Sequence, residues 1–271
     1  MRQSLVRAAL LGAFILPLAS CATVESGVAA ASRNALAAAI ASPARSAANV
    51  ARDPYRHPAE TLAFFGVDPG DTVVEIWPGG GWYTEILAPY LAGGGTYYAV
   101  ASERGLANVK KMATDNPAPY GRVQTAAFPA PAGSARVPDG SADVVLTFRN
   151  VHNWMMGDTP FADDAFAQMY AMLKPGGTLG VVEHRLPESA DTARERTSGY
   201  VKTSTVRNLA QAAGFEFVAA SEVNANSRDT ADYPDGVWTL PPNYRRGDAE
   251  RARYQAIGES DRMTLRFRKP G

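Results

Sequence analysis

The chain of 271 residues contains one cysteine, Cys21, so no disulfide can form within it. It also lacks a charge excess. Lys plus Arg and Asp plus Glu number 27 each, and no basic stripe is interleaved with aromatics, which excludes the electrostatic footprint of a nucleic-acid binder. A small-molecule partner is expected instead, and nothing in the sequence calls for an obligate protein partner. The N-terminal apolar run, Ala8 to Leu18, falls well short of the ~20 residues that a helix needs to span a bilayer. Histidine is scarce, with only His57, His152 and His184.

What is present begins with Arg2 and Arg7 ahead of that short apolar run, the pattern of a secretory signal over residues 1–20. It ends in Leu18-Ala19-Ser20-Cys21, which resembles the bacterial lipobox. The resemblance implies a diacylglyceryl group on Cys21 as the first mature residue. Ordinary cleavage that leaves a free thiol is the alternative. Ala22 follows the cysteine where Asp would retain a lipoprotein, so the analogy implies export and a lipid anchor in the outer membrane, facing the periplasm. Loss of residues 1–20 removes two arginines and no acid.

With 46% hydrophobic residues the chain can build one core of about 200 residues. Residues 21–52, rich in Ala, Ser and Arg, read as a tether or loosely docked helix, and 53–271 as the domain. A turn-rich lead-in, Asp53 to Pro58, precedes a short helix over 59–65. Then strands at 72–76, 96–100, 123–126, 142–148, 178–183 and 215–221 alternate with helices at 82–91, 106–114, 161–173 and 203–213. Pro89 should kink or shorten its helix. Such alternation means parallel crossovers and an open twisted α/β sheet. Residues 262–267 alternate apolar and polar as a half-exposed last strand would. Before them, 224–260 is a long insertion with a helix near 248–256, of the kind that forms lids.

Val74-Glu75-Ile76-Trp77-Pro78-Gly79-Gly80-Gly81 resembles motif I of class I S-adenosylmethionine-dependent methyltransferases. Ser141 to Leu146 resembles their fourth strand, and Leu173-Lys174-Pro175-Gly176-Gly177 the turn before the fifth. More narrowly, Gly81 to Thr84, Phe148 to Trp154 and Trp238 to Pro242 resemble an exported subgroup of predicted methyltransferases. The resemblance implies a Rossmann-like methyltransferase fold: a mostly parallel seven-stranded sheet, helices on both faces, and an antiparallel last strand. It also implies S-adenosylmethionine as cofactor and transfer of its methyl group to a small molecule.

Glycines 79, 80 and 81 permit a sharp strand-to-helix turn and close approach of backbone N–H groups to a ligand. A dinucleotide loop would need glycine where Thr84 stands. The cofactor set implied by the resemblance is Glu75, Trp77, Gly79, Gly80, Gly81, Glu103 and Asn150. Glu75 could alternatively cap the following helix. Trp77 replaces the family's usual first glycine. Ala101 and Ala127 stand where acids commonly hold the ribose and adenine, leaving Glu103 as a substitute.

Ligands in open parallel sheets bind beyond the carboxyl ends of the strands, where strand order reverses. His152 and His184 follow the fourth and fifth strands. An imidazole titrates near neutrality, so His152 is the candidate base, with Asn153 and Arg149 beside it; a purely structural role in the loop is the alternative. Substrate-facing candidates are Trp82, Tyr83, Trp154, His184 and Trp238. His57, His152, His184 and Glu183 form an alternative metal-binding set. A non-catalytic binding protein on the same fold, for another ligand or a metal, is the rival function.

Overall fold

From residue 72 onward, short β-branched runs alternate with longer helical ones, and the computed structural model, which describes residues 19–271, assembles them into one sheet between helical layers. The strands are β1 (Thr72–Ile76), β2 (Thr96–Val100), β3 (Gln124–Ala126), β4 (Ala142–Phe148), β5 (Leu173–Leu186), β6 (Val201–Lys202), β7 (Glu216–Ser221) and β8 (Arg262–Arg268). Their order is β3-β2-β1-β4-β5-β8-β7, with the two-residue β6 paired to the far end of β5. All pairings from β3 to β5 are parallel, and β8 runs antiparallel to both neighbours. The expected sheet forms, with β6 as an eighth strand. The order reverses between β1 and β4, so the glycine loop after β1 and the histidine-bearing segment after β4 open side by side.

The period-two side-chain alternation divides the core between the two faces. Val74 and Ile76 pack on the helices Ala162–Met172 and Thr203–Ala212 with Phe166, Met169 and Val206. Val73, Val144 and Leu146 pack on the opposite face against Leu62, Phe65, Ile86 and Leu106. A Cβ at Gly180 would meet the Phe65 ring at 2.7 Å, so only glycine lets the helix Pro58–Phe65 lie this close to β5.

Three expectations need correction. The last strand is interior, not half-exposed: it lies between β5 and β7, and Arg262 and Thr264 are buried. The exposed edge is β7, with Phe217 and Val218. The folded unit begins before residue 53, because a helix spans Ala19–Ile40 and its Leu36 and Ala39 join the core. Arg45, also buried, pairs with Asp53 at 2.7 Å, and the Asn49 carbonyl accepts from the Trp82 indole at 2.9 Å. The helix Thr84–Leu91 also continues past Pro89. Residues 1–18 of the expected signal lie outside the described residues, as does the side chain of Cys21. Among the described residues no helix is long and apolar enough to cross a membrane.

The insertion folds back on the mouth of the sheet around two small cores, one of Tyr233, Leu240 and Tyr254, the other of Leu186, Tyr200, Ala231 and Val237. Gly236 holds φ +58°, and any Cβ there would run into the Ser198 carbonyl, which accepts from Val237 N at 2.8 Å. This junction seats the next residue, Trp238, over the mouth.

Candidate functional site

After β1 the chain turns sharply: Trp77, Gly79 and Gly81 all hold positive φ, at +52°, +59° and +83°. For Trp77 the left-handed backbone costs about 1 kcal/mol or more. Its indole is directed away from the loop, donating to the Phe128 carbonyl at 3.1 Å and meeting Trp154 edge-on at 6.0 Å. Space therefore remains beside the loop. One cavity of about 180 Å³ is lined by Arg56, Glu75, Gly79, Gly80, Phe148 and Arg149, among others. It shares Trp77, Gly79 and Asn150 with a largely apolar cavity of about 360 Å³ that reaches Ala101, Ser102 and Gly105 at the end of β2. A third cavity, of about 200 Å³, lies under Trp238 and meets His152, Asn153, His184 and Ser260. It shares Arg52 and Arg149 with the first.

Asn150 fixes this arrangement. Its side-chain amide donates to the Ile76 carbonyl at 2.8 Å and to Thr147 Oγ1 at 3.2 Å, tying the ends of β1 and β4 together. A short helix, Val151–Met155, follows and carries His152 inward. The fully buried Glu183 takes three N–H groups: His152 Nδ1 at 2.9 Å, His152 N at 3.2 Å and His184 N at 2.7 Å. A carboxylate can only accept, so Nδ1 of His152 carries the proton and Nε2 is left as the basic nitrogen. His184 is held at Nδ1 by Ser260 Oγ at 2.5 Å, and burial, then His152 and Arg149, push its pKa well below the usual 6.5, so it is neutral.

The electrostatics of the mouth are dominated by arginine. Arg52, Arg56 and Arg262 surround Glu259, with Arg52 at 2.6 Å, Arg56 at 3.5 Å and Arg262 in direct contact. Burial alone would raise the Glu259 carboxyl; Arg262 and Arg56 outweigh it and hold the group at about 2. Burial raises Glu75 to about 7 against the opposing Tyr97 hydrogen bond at 2.5 Å. Arg149 is lowered to about 10, first by burial and then by Arg262. It too holds a left-handed backbone, at φ +62°.

Residues 74–181 match a family model described as a methyltransferase domain. No curated protein sequence matches the chain. The fold is shared with a SAM-dependent methyltransferase from Aquifex aeolicus, at 14% identity and TM-score 0.54 over 81% of this chain and 93% of that one. It is also shared with the [4+2]-cyclase SpnF, at 18% identity and TM-score 0.56 over 79% and 80%. A Haloferax volcanii protein solved with the Trm112 methyltransferase activator aligns at 17% identity and TM-score 0.51 over 88% and 98%. These likenesses establish a Rossmann-like methyltransferase fold.

Glu75, Trp77, Gly79, Gly80 and Asn150 all line the first cavity. Gly81 lines none of the three; its open face packs on Met112, where a Cβ would meet the sulfur at 2.6 Å. Glu103 does not substitute for the missing ribose acid, because its side chain is exposed and pairs with Lys110 at 2.6 Å. Ser102 and Arg104 line the cavity in its place. Trp82 and Tyr83 face the glycine-loop cavity and not the one under Trp238. Arg56 sits over the Trp82 ring at 4.8 Å, and Tyr83 stacks on Phe148 at 3.6 Å. Trp154 lines none of these three cavities: it is fully buried among Trp77, Phe128 and Phe166. Trp238 and His184 do line the third cavity, with the Trp238 ring 6.0 Å from that of His152.

Ligand atoms of His152, Glu183 and His184 lie within 4.8 Å of one another, and His57 is not among them. The donor set suits a dication poorly. Both Glu183 oxygens already accept N–H groups, and arginines crowd the same space. Sequence reasoning missed Arg52, Arg56, Glu259, Ser260 and Arg262. Their one local signal is a charged residue at the start of a strand whose partner across the sheet is His184, as Arg262 is.

Proposed function

We propose that this protein is an S-adenosylmethionine-dependent methyltransferase acting on a small molecule, with His152 as general base, Glu183 as its positioning partner, and Arg149 and Asn153 beside it. The observation that carries this reading is the His152–Glu183 pair, which leaves a basic Nε2 at a cavity sharing Arg149 with the glycine-loop cavity.

The residues present fit the cofactor. Glu75 offers a carboxylate to its ammonium, the unpartnered Nε and Nη2 of Arg56 suit its carboxylate, and the exposed glycines 79 and 80 let backbone approach it. The apolar cavity between Trp77 and Gly105 suits the adenosyl portion, with Ser102 in place of an acid. The cofactor supplies an electrophilic methyl group. The chain's contribution is to align an acceptor under Trp238 and to take its proton on His152 Nε2, a role worth about 10²–10⁴ in rate.

Calorimetric titration of the protein with S-adenosylhomocysteine tests the assignment. Micromolar binding in the wild type and its loss in Gly79→Arg, whose side chain would enter both cofactor cavities, is the expected result. Absence of binding in folded wild-type protein overturns it. We also propose that the chain is exported and held at the outer membrane by a lipid on Cys21, a reading supported by the Leu18-Ala19-Ser20-Cys21 sequence.

A further inference from the structure

We propose that the methyl acceptor is an anion, carrying a carboxylate or a phosphate that Arg149 binds in the cavity beneath Trp238. This inference rests on the methyl-transfer reading and names its substrate class.

The argument is one of charge. Arg52, Arg56, Arg149 and Arg262 face the two connected cavities, and the acids available to them are already engaged. Glu259 is shared by three of the arginines. Glu183 is taken by His152 and two backbone amides, and Glu75 by Tyr97. Arg149 lines both cavities and has no ion-pair partner among the described residues. Beside it in the cavity under Trp238, Nη2 of Arg52 and Nε of Arg262 are buried with no hydrogen-bond acceptor. Buried guanidinium N–H groups are rarely left so, because each has surrendered its water.

The cofactor's carboxylate is met by Arg56 in the glycine-loop cavity and leaves the arginines under Trp238 without an anion. S-adenosylmethionine bears a sulfonium and an ammonium against a single carboxylate, so its arrival adds one net positive charge. The acceptor is the remaining component, and an oxyanion on it would meet the planar donors of Arg149. His184, neutral and hydrogen-bonded to Ser260, can donate alongside without adding charge.

The test uses the full chain saturated with S-adenosylhomocysteine, titrated at constant ionic strength with inorganic phosphate and, separately, with acetate, against a chloride control. The expected result is that one of these anions binds alongside S-adenosylhomocysteine, and that Arg149→Met weakens it about tenfold or more while Arg149→Lys retains part of the affinity. Tighter binding of phosphate or of acetate identifies the class. Two outcomes overturn the proposal and leave methyl transfer standing: neither anion binds above chloride, or the anion competes with S-adenosylhomocysteine, which would assign the arginines to the cofactor's carboxylate. If S-adenosylhomocysteine itself does not bind, the methyl-transfer reading fails and the acceptor assignment falls with it. The wild-type competition alone decides between these outcomes should an Arg149 variant not fold.

Discussion

Glu75 is a carboxyl group that burial sets against the folded state. Its pKa stands at about 7 in the folded protein against an ordinary 4.5. Between those two pH values the folded chain keeps a proton that the unfolded chain has released, so stability falls as pH rises through this window and levels off above it. At ~1.4 kcal/mol for each pH unit, the loss from pH 4.5 to above 7 is about 3 kcal/mol. Glu75→Gln removes the ionisable group and keeps an oxygen to accept from Tyr97. The variant should therefore be more stable than wild type by about 3 kcal/mol at pH 8, with the advantage falling to about 1 kcal/mol at pH 5. Urea unfolding at pH 5, 6.5 and 8 measures this. An advantage that does not change with pH, or a variant less stable at pH 8, refutes the reasoning. The same group links pH to the cofactor, because an arriving ammonium favours the ionised carboxylate. Binding of S-adenosylhomocysteine at pH 6 should release close to one proton and be about tenfold weaker than at pH 8.

Two further outcomes are expected. Glu183→Gln offers His152 Nδ1 an amide that can donate, so the imidazole proton should move toward Nε2, visible as exchanged ¹⁵N shifts of the His152 ring; an unchanged tautomer would remove Glu183 from the positioning role. Intact mass of the membrane fraction should show a chain beginning at Cys21 with a diacylglyceryl adduct, lost in Cys21→Ser, and a soluble unmodified chain would exclude the anchor.

How much of this was legible in the sequence depended on whether the signal was local. β1, β2 and β4 fall at the residues expected, because each is a β-branched or apolar run bounded by turn residues. The glycine loop and His152 were legible for the same reason. The helix Val151–Met155 was not, since five residues hold too little of a 3.6-residue period. The expectation for Trp154 failed because a loop-like neighbourhood was taken to imply exposure, whereas that short helix turns the indole into the core. The arginine cluster was hidden by distance along the chain. Arg52 and Arg56 belong to a stretch read as tether and lead-in, and Glu259 and Arg262 come some 200 residues later, so only the assembled sheet brings them together.

The residue that roofs the cavity proposed for the acceptor, Trp238, belongs to a segment with small cores of its own, joined to the sheet through tight contacts such as that of Gly236 with Ser198. The cofactor cavities, in contrast, are built from the ends of β1, β2 and β4 and the segment before β1. The molecule thus separates two kinds of heritable change. On the proposed reading, substitutions or length changes around Trp238, short of Glu259, can reshape which molecule is accepted while the glycine loop and its surroundings stay intact. A lineage carrying this fold would then diversify its substrates by remodelling one peripheral segment.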